Sequence, residues 1–233
     1  KPPVQKSAGR EALDALLPKG SLRLEKIDVD GYENVIKATD EASGLQAIIA
    51  IHSTVMGPAL GGIRIHPYAS FDQALEDVLR LAKGMTYKAV LSSVGFGGGK
   101  SVVIADPKKK TPALLASLGR AVEQLQGSYI CAEDVGCSVE DVGIIRGYTQ
   151  YVVGLPHSKS SGNPGPFTSW GVFRGIQSAA QKLFGSSSLE GKTIAIQGLG
   201  SVGGFLAEYL FWAGASLILS DLDMEKVERL GLK

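Results

Sequence analysis

Cysteine and histidine are scarce in this sequence. Cys131 and Cys137 are its two cysteines, and His52, His66 and His157 its three histidines, in 233 residues. So few cysteines exclude a disulfide scaffold, and their spacing does not fit Cys-x-x-Cys redox or zinc chemistry. The histidines share no metal-ligand spacing, so no metal site is expected. No run of about 18 apolar residues occurs, and residues 1–20 lack the apolar core of a secretory leader. A soluble cytoplasmic protein with reduced cysteines and no membrane contact is therefore expected. A dominant sign of charge is missing too: 24 Lys+Arg against 23 Asp+Glu leaves +1. That balance argues against a nucleic-acid partner held by a strong positive field and against an acidic disordered tail.

Apolar residues, at 44%, suffice for a globular core. Glycine is in surplus: 30 residues, about 13% against a usual ~7%. The glycines fall in short clusters without a collagen period, which marks places where backbone must approach something closely.

The segments 34–39 and 45–52 are rich in β-branched residues and flank Ser43-Gly44, so they predict a hairpin. Residues 57–68 read as glycine- and proline-punctuated chain. Ser70 with Gln73 fits a capping box, and Phe71, Ala74, Leu75, Val78, Leu79 and Ala82 make one helical face running towards Lys88, with Gly84 as a weak point. A short strand is expected at 102–105. A helix follows from the Thr111-Pro112 cap to the Gly127 stop, then a strand at 128–132 and a helix capped by Ser138. Residues 155–166 are rich in Pro, Gly and Ser and predict a linker. Beyond it, helix 168–184, strand 192–197, helix 201–213 and strand 216–221 predict a parallel βαβ unit.

Two motifs carry chemistry. Directly after the strand at 193–197 comes Gly198-Leu199-Gly200-Ser201-Val202-Gly203, a G-x-G-x-x-G run. An acid, Asp221, ends the next strand 23 positions after Gly198, where a dinucleotide fingerprint places one at about 20. Gly198 would allow the tight turn, Gly200 the approach of a pyrophosphate, and Gly203 close helix–strand packing. The helix N-terminus beside Ser201 and Val202 would offer N–H groups to phosphate. Asp221 would bind the adenosine ribose and repel a 2′-phosphate, which favours NAD over NADP. A glycine turn that binds no nucleotide is the alternative.

The second motif is Gly95-Phe96-Gly97-Gly98-Gly99-Lys100-Ser101. It is not a P-loop, because Val94 stands where the first glycine is required and Lys100 leads into a strand. It reads as a floor of exposed backbone beside a lysine, where a small molecule could rest. Lys88 lies twelve residues earlier, and Asp134 lies at a later strand end. Two neighbouring lysines would lower each other's pKa by repulsion, giving an acid–base group near neutrality. Surface lysines on a glycine loop are the alternative.

The segments AIIAIH (47–52), GPALGG (57–62), EDVLRLAKGMTYKA (76–89), GGGK (97–100), AEDVG (132–136), SSGNP (160–164) and SLEGKTIAIQGLGSVG (188–203) together resemble the amino-acid dehydrogenase family. That family comprises the glutamate, leucine, valine, phenylalanine and tryptophan dehydrogenases, and the resemblance is strongest to the leucine branch. It implies reversible, NAD-dependent oxidative deamination of an L-amino acid to a 2-oxo acid and ammonia, by a homo-oligomer. By the matching motifs, Lys88 would bind the substrate carboxylate, Lys100 would be the catalytic acid–base and Asp134 would assist proton transfer. Gly61, Gly97 and Gly98 would lie against the substrate, and Thr168 near the cofactor.

Glutamate-specific members carry a lysine where this chain has Leu60. Burying an unpaired γ-carboxylate there would cost roughly several kcal/mol, so an apolar side chain is expected, leucine first. The expected organisation is an α/β substrate-binding and oligomerisation domain at 1–155 and a Rossmann-type NAD domain at 156–233. The second would hold only the first half of a Rossmann fold. A shortened, non-catalytic relative serving as a binding or oligomerising module, and a dehydrogenase preferring phenylalanine or tryptophan, are the other readings.

Overall fold

The computed structural model describes residues 20–155 and 162–231. The chain divides into two compact units, Lys1–Gly162 and Asn163–Lys233. The division falls within the expected 155–166 linker, at 162/163 rather than 155/156. Residues 156–161 of that linker, with His157, lie outside the described residues.

The first unit is a mixed six-stranded sheet with helices on both faces. Its strands are β1 (Leu22–Ile27), β2 (Asn34–Asp40), β3 (Leu45–Ser53), β4 (Ala59–His66), β5 (Gly97–Ile104) and β6 (Tyr129–Ala132), in the order β1-β2-β3-β5-β4-β6. The first four in that order pair antiparallel; β4 pairs parallel with both β5 and β6. The hairpin β2–β3 forms as expected. Gly44 takes a left-handed φ of +73° in its turn. In β3, Ala47, Ile49 and Ile51 face one apolar cluster and Ile48 and Ala50 the other, so this strand is covered on both faces.

Helix α1 (Phe71–Leu91) covers one face with Ala74, Val78 and Ala82, packed on Val35, Ile48 and Val102. It continues through Gly84, where added side-chain volume would meet nothing. Ser70 Oγ accepts from the Gln73 amide as a cap should, but Gln73 Oε1 accepts from the Ala69 amide, one residue before the cap. On the opposite face lie α2 (Pro112–Gln124) and α3 (Val139–Arg146), with Leu114, Leu115, Leu118 and Ile145 in the core. Ser138 and Asp141 close a full capping box on α3. The edge strand β1 and the strand β4 were not anticipated. β1 is short and charged, as edge strands often are, and β4 carries Gly61 and Gly62, which depress strand propensity.

The second unit holds α4 (Gly165–Phe184), β7 (Thr193–Gln197), α5 (Gly203–Trp212), β8 (Ser216–Ser220) and α6 (Met224–Gly231). β7 and β8 pair parallel around α5, the expected βαβ unit of a Rossmann-type fold. Phe173, Ile196, Leu206 and Leu210 form its core, and Trp170 stacks on Phe173 with ring centroids 5.3 Å apart. Among the described residues no helix is long and apolar enough to cross a membrane.

Candidate active site

In the first unit the parallel triplet β5-β4-β6 sets Lys100 beside Asp134. Lys100 stands on β5 and Asp134 follows the end of β6, with β4 between them. They can meet because the residue they reach across is Gly62. A Cβ there would lie 2.7 Å from Asp134 Cβ, 2.8 Å from the Glu133 carbonyl and 3.1 Å from Lys100 Nζ. The resulting ion pair, Lys100 Nζ to Asp134 Oδ2, is 2.8 Å long, with the two side chains 7% and 24% exposed.

The turn carrying Asp134 is tightly held. Asp134 and Cys137 exchange backbone hydrogen bonds of 2.9 and 3.2 Å, and the Ile65 amide donates to the Val135 carbonyl at 2.9 Å. Gly136 has a left-handed φ of +81° and lies so close to Ile65 that a Cβ would fall 2.2 Å from its carbonyl oxygen. Lys110 Nζ donates to the Gly136 carbonyl at 2.8 Å and pairs with Asp141, which ties the turn to α3. Cys131 and Cys137 are free and buried, and burial pushes the Cys131 thiol up to about 12.

The electrostatics of the pair differ from the sequence expectation. Burial pushes the Lys100 ammonium below the ordinary lysine range; the Asp134 carboxylate opposes that shift and Arg64 adds to it. Lys88 is not among the groups acting on Lys100 and is exposed on α1. Desolvation and Arg64 therefore replace the expected lysine–lysine repulsion. Burial also acts to raise the Asp134 pKa, but Lys100, then a backbone hydrogen bond from Val135 and then Arg64 outweigh it and hold the carboxyl below its usual range.

Arg64 is the principal residue that sequence patterns missed. Its Nε lies 3.4 Å from Asp134 Oδ2, and its Nη1 donates to Asp77 Oδ2 at 3.0 Å. Tyr68 donates to the same Asp77 oxygen at 2.6 Å. A faint signal existed: Arg64 interrupts two isoleucines in a strand, and Asp77 adjoins the apolar face of α1.

The glycine run is not an open floor. Gly97, Gly98 and Gly99 are buried residues of β5. A Cβ on Gly98 would fall 2.1 Å from the Thr86 amide nitrogen, and one on Gly97 would fall 2.0 Å from the Ser53 carbonyl. Gly61 is likewise buried, with its Cβ position 1.7 Å from the Gly99 carbonyl. These glycines let β3, β4, β5 and α1 close on one another. Leu60 is half-buried on β4, in register with Gly98 and Ile130.

In the second unit, the fingerprint loop has the expected conformational demands. Gly198 has φ +94°, space is open beside Gly200, and a Cβ on Gly203 would strike the Gly198 carbonyl at 1.9 Å. Ser201 Oγ donates to Asn163 Oδ1 at 3.1 Å, and Asn163 Oδ1 also accepts from the Gly165 amide. The buried Ser169 hydroxyl lies 2.7 Å from both the Gly165 and Val202 carbonyls, bracing the loop against α4. Ser169 and Asn163 were not anticipated. Thr168 is exposed in the first turn of α4. Asp221 Oδ2 accepts from the Leu199 amide at 2.6 Å and Oδ1 from the Asp223 amide at 2.9 Å, so this carboxylate holds the loop itself. Among the described residues no cluster of three or more His, Cys, Asp or Glu could hold a metal.

The family model described as Glu/Leu/Phe/Val dehydrogenase, dimerisation domain, matches residues 32–151. A leucine dehydrogenase from Bacillus cereus is 50% identical over 208 residues, 88% of this chain and 56% of that protein. A phenylalanine dehydrogenase from Lysinibacillus sphaericus is 47% identical over 196 residues, 83% of this chain and 51% of that protein. The solved L-tryptophan dehydrogenase of Nostoc punctiforme superposes with a TM-score of 0.63 at 42% identity, covering 87% of this chain and 57% of that one. The chain thus spans about half the length of the curated relatives it matches.

Proposed function

This chain belongs to the Glu/Leu/Phe/Val dehydrogenase family, and on that premise we propose that it serves NAD-dependent oxidative deamination of an apolar L-amino acid, leucine first. The products are the 2-oxo acid, ammonium, NADH and a proton, with one water consumed. The observation that carries this reading is the buried Lys100–Asp134 pair, 2.8 Å apart.

Burial makes the Lys100 amine easier to deprotonate than an ordinary lysine, which suits it to acid–base work. Lys100 Nζ is the group that takes a proton from attacking water and returns it. Asp134, kept ionised by two cations, accepts hydrogen bonds and passes protons to and from the substrate amino group. Lys88 supplies the charge for the α-carboxylate. Leu60 offers no cation to a side-chain carboxylate, which disfavours glutamate. Gly61, Gly97 and Gly98 serve through close packing that fixes the depth of the wall around the substrate.

The dinucleotide fits the second unit on two observations: the open space at Gly200 and the loop held by Asn163, Ser169 and Asp221. Residues Gly198–Gly203, with Thr168 and Asp221, would hold it, and when bound it accepts hydride. Asp221 keeps further lone pairs for a ribose hydroxyl, and its charge disfavours a 2′-phosphate. The matched dimerisation model supports a homo-oligomer built through the first unit.

The test is NADH formation with leucine, valine, isoleucine, phenylalanine, tryptophan and glutamate, for wild type and Lys100→Ala. Turnover with apolar substrates that vanishes in Lys100→Ala is expected. A preference for glutamate, or a Lys100→Ala variant that still turns over, would overturn the assignment.

A further inference from the structure

The Lys100–Asp134 pair is one end of a line of four charged groups of alternating sign, closed at the other end by a tyrosine. Lys100 on β5 meets Asp134 after β6; Asp134 meets Arg64 on β4; Arg64 meets Asp77 on α1; and Asp77 accepts from Tyr68. The charges cancel along the line, so it can sit largely out of water without a net field. The proposed chemistry uses Arg64 only as a charge beside Asp134, and Asp77 and Tyr68 not at all.

We propose that Arg64 is a positioning residue, which spans Asp77 and Asp134 and thereby fixes the Asp134 carboxylate against Lys100. The guanidinium suits this task because its Nη1 and Nε point in set directions from one plane. Nη1 is fastened to Asp77 at 3.0 Å, and Tyr68 fixes Asp77 in turn. Nε is thereby left facing Asp134 Oδ2 at 3.4 Å, an electrostatic contact longer than a good hydrogen bond. Asp134 Oδ2 then lies between two cations, with the closer contact to Lys100. Arg64 touches no reacting atom in this scheme.

The inference rests on the reading of Lys100 and Asp134 as the proton-handling pair. Its test needs no turnover, so failure of the dehydrogenase assay and failure of this inference remain distinguishable. The measurement is the titration of Lys100 in the 233-residue chain by ¹³Cε-lysine NMR, with the resonance identified by its loss in Lys100→Arg. The charged groups acting on Lys100 are Asp134 in the turn after β6, Arg64 on β4 and Asp77 on α1; β3, which also pairs with β5, contributes none of these.

Arg64→Gln removes a repelling cation and frees Asp134 at once, two effects of opposite sign on the Lys100 midpoint, so the decisive variants are Asp77→Asn and Arg64→Lys. Asp77→Asn removes an attracting anion and leaves the Arg64 charge uncancelled, so the midpoint moves down. Arg64→Lys keeps the charge but not the fork, and does not restore the wild-type midpoint. Loosening of the pocket alone would carry Lys100 towards its ordinary value in both the Arg64→Gln and Asp77→Asn variants. An upward or absent shift in Asp77→Asn, or a wild-type midpoint in Arg64→Lys, would therefore overturn the proposal. Asp77→Asn leaves the sheet residue in place and keeps the test available should Arg64→Gln fail to fold.

Discussion

Replacing Gly62 by alanine tests the geometry of the site with a single methyl group. The new Cβ would stand 2.7 Å from Asp134 Cβ and 2.8 Å from the Glu133 carbonyl, where ordinary contact begins at 3.4 Å. Both neighbours belong to a turn fixed by backbone hydrogen bonds, so neither yields as a flexible side-chain end would. Relief requires the turn to move away from β4 by about 0.6–0.7 Å, and overpacking of this kind costs about 1–3 kcal/mol. For a chain of this size that lowers Tm by about 2–4 °C per kcal/mol. The same movement stretches the 2.8 Å pair, since Asp134 rides on the turn while Lys100 stays on β5. Circular dichroism melting reads the first effect, and the Lys100 NMR titration reads the second. Gly84→Ala is the internal contrast, because nothing lies within 4 Å of its added methyl and it sits inside a helix. It should stabilise by up to about 1 kcal/mol. Equal Tm values for the two variants, or an unmoved Lys100 titration in Gly62→Ala, would refute the packing argument.

Asp134→Asn should cost about 1–3 kcal/mol at neutral pH, less than the ~3–5 of a fully buried pair because the carboxylate is 24% exposed; denaturant melts read it. The depressed pKa values of Asp134 and Asp40 mean that their stabilisation is present above the unfolded carboxylate range and lost as pH falls through the lower folded values. An acid melt of Asp134→Asn should accordingly be flatter than wild type. For Lys100, whose folded pKa is depressed, stability should rise with pH between the folded value and the ordinary lysine value, and Lys100→Met should lose that slope. Ser169→Ala removes the hydroxyl between the Gly165 and Val202 carbonyls and should weaken NAD binding by calorimetry while leaving the melting of the first unit unchanged.

Much of the chain is legible in contiguous residues. The hairpin at Gly44, the apolar face of α1, the caps at Ser70, Thr111 and Ser138, and the βαβ fingerprint all depend on neighbours a few positions apart, which periodicity and turn chemistry report directly. Lys100 and Asp134 could be singled out because their motifs are short and local. Their environment could not. β4 looked like irregular chain because its glycines carry no strand signal, and the need for them comes from β5 and β6, whose backbones crowd Gly61 and Gly62.

By itself, then, the sequence determined where the helices lie, where a glycine-rich strand–helix loop stands and which short motifs set Lys100 and Asp134 apart. Tertiary structure alone decided that the glycine run is buried sheet rather than open floor. It also decided that Arg64, not Lys88, shares the field around Lys100. The physical reason is that desolvation and Coulomb interactions depend on distance through space. Residues 64, 77, 100 and 134 are brought together only by the strand order β5-β4-β6 and the helix that packs across it.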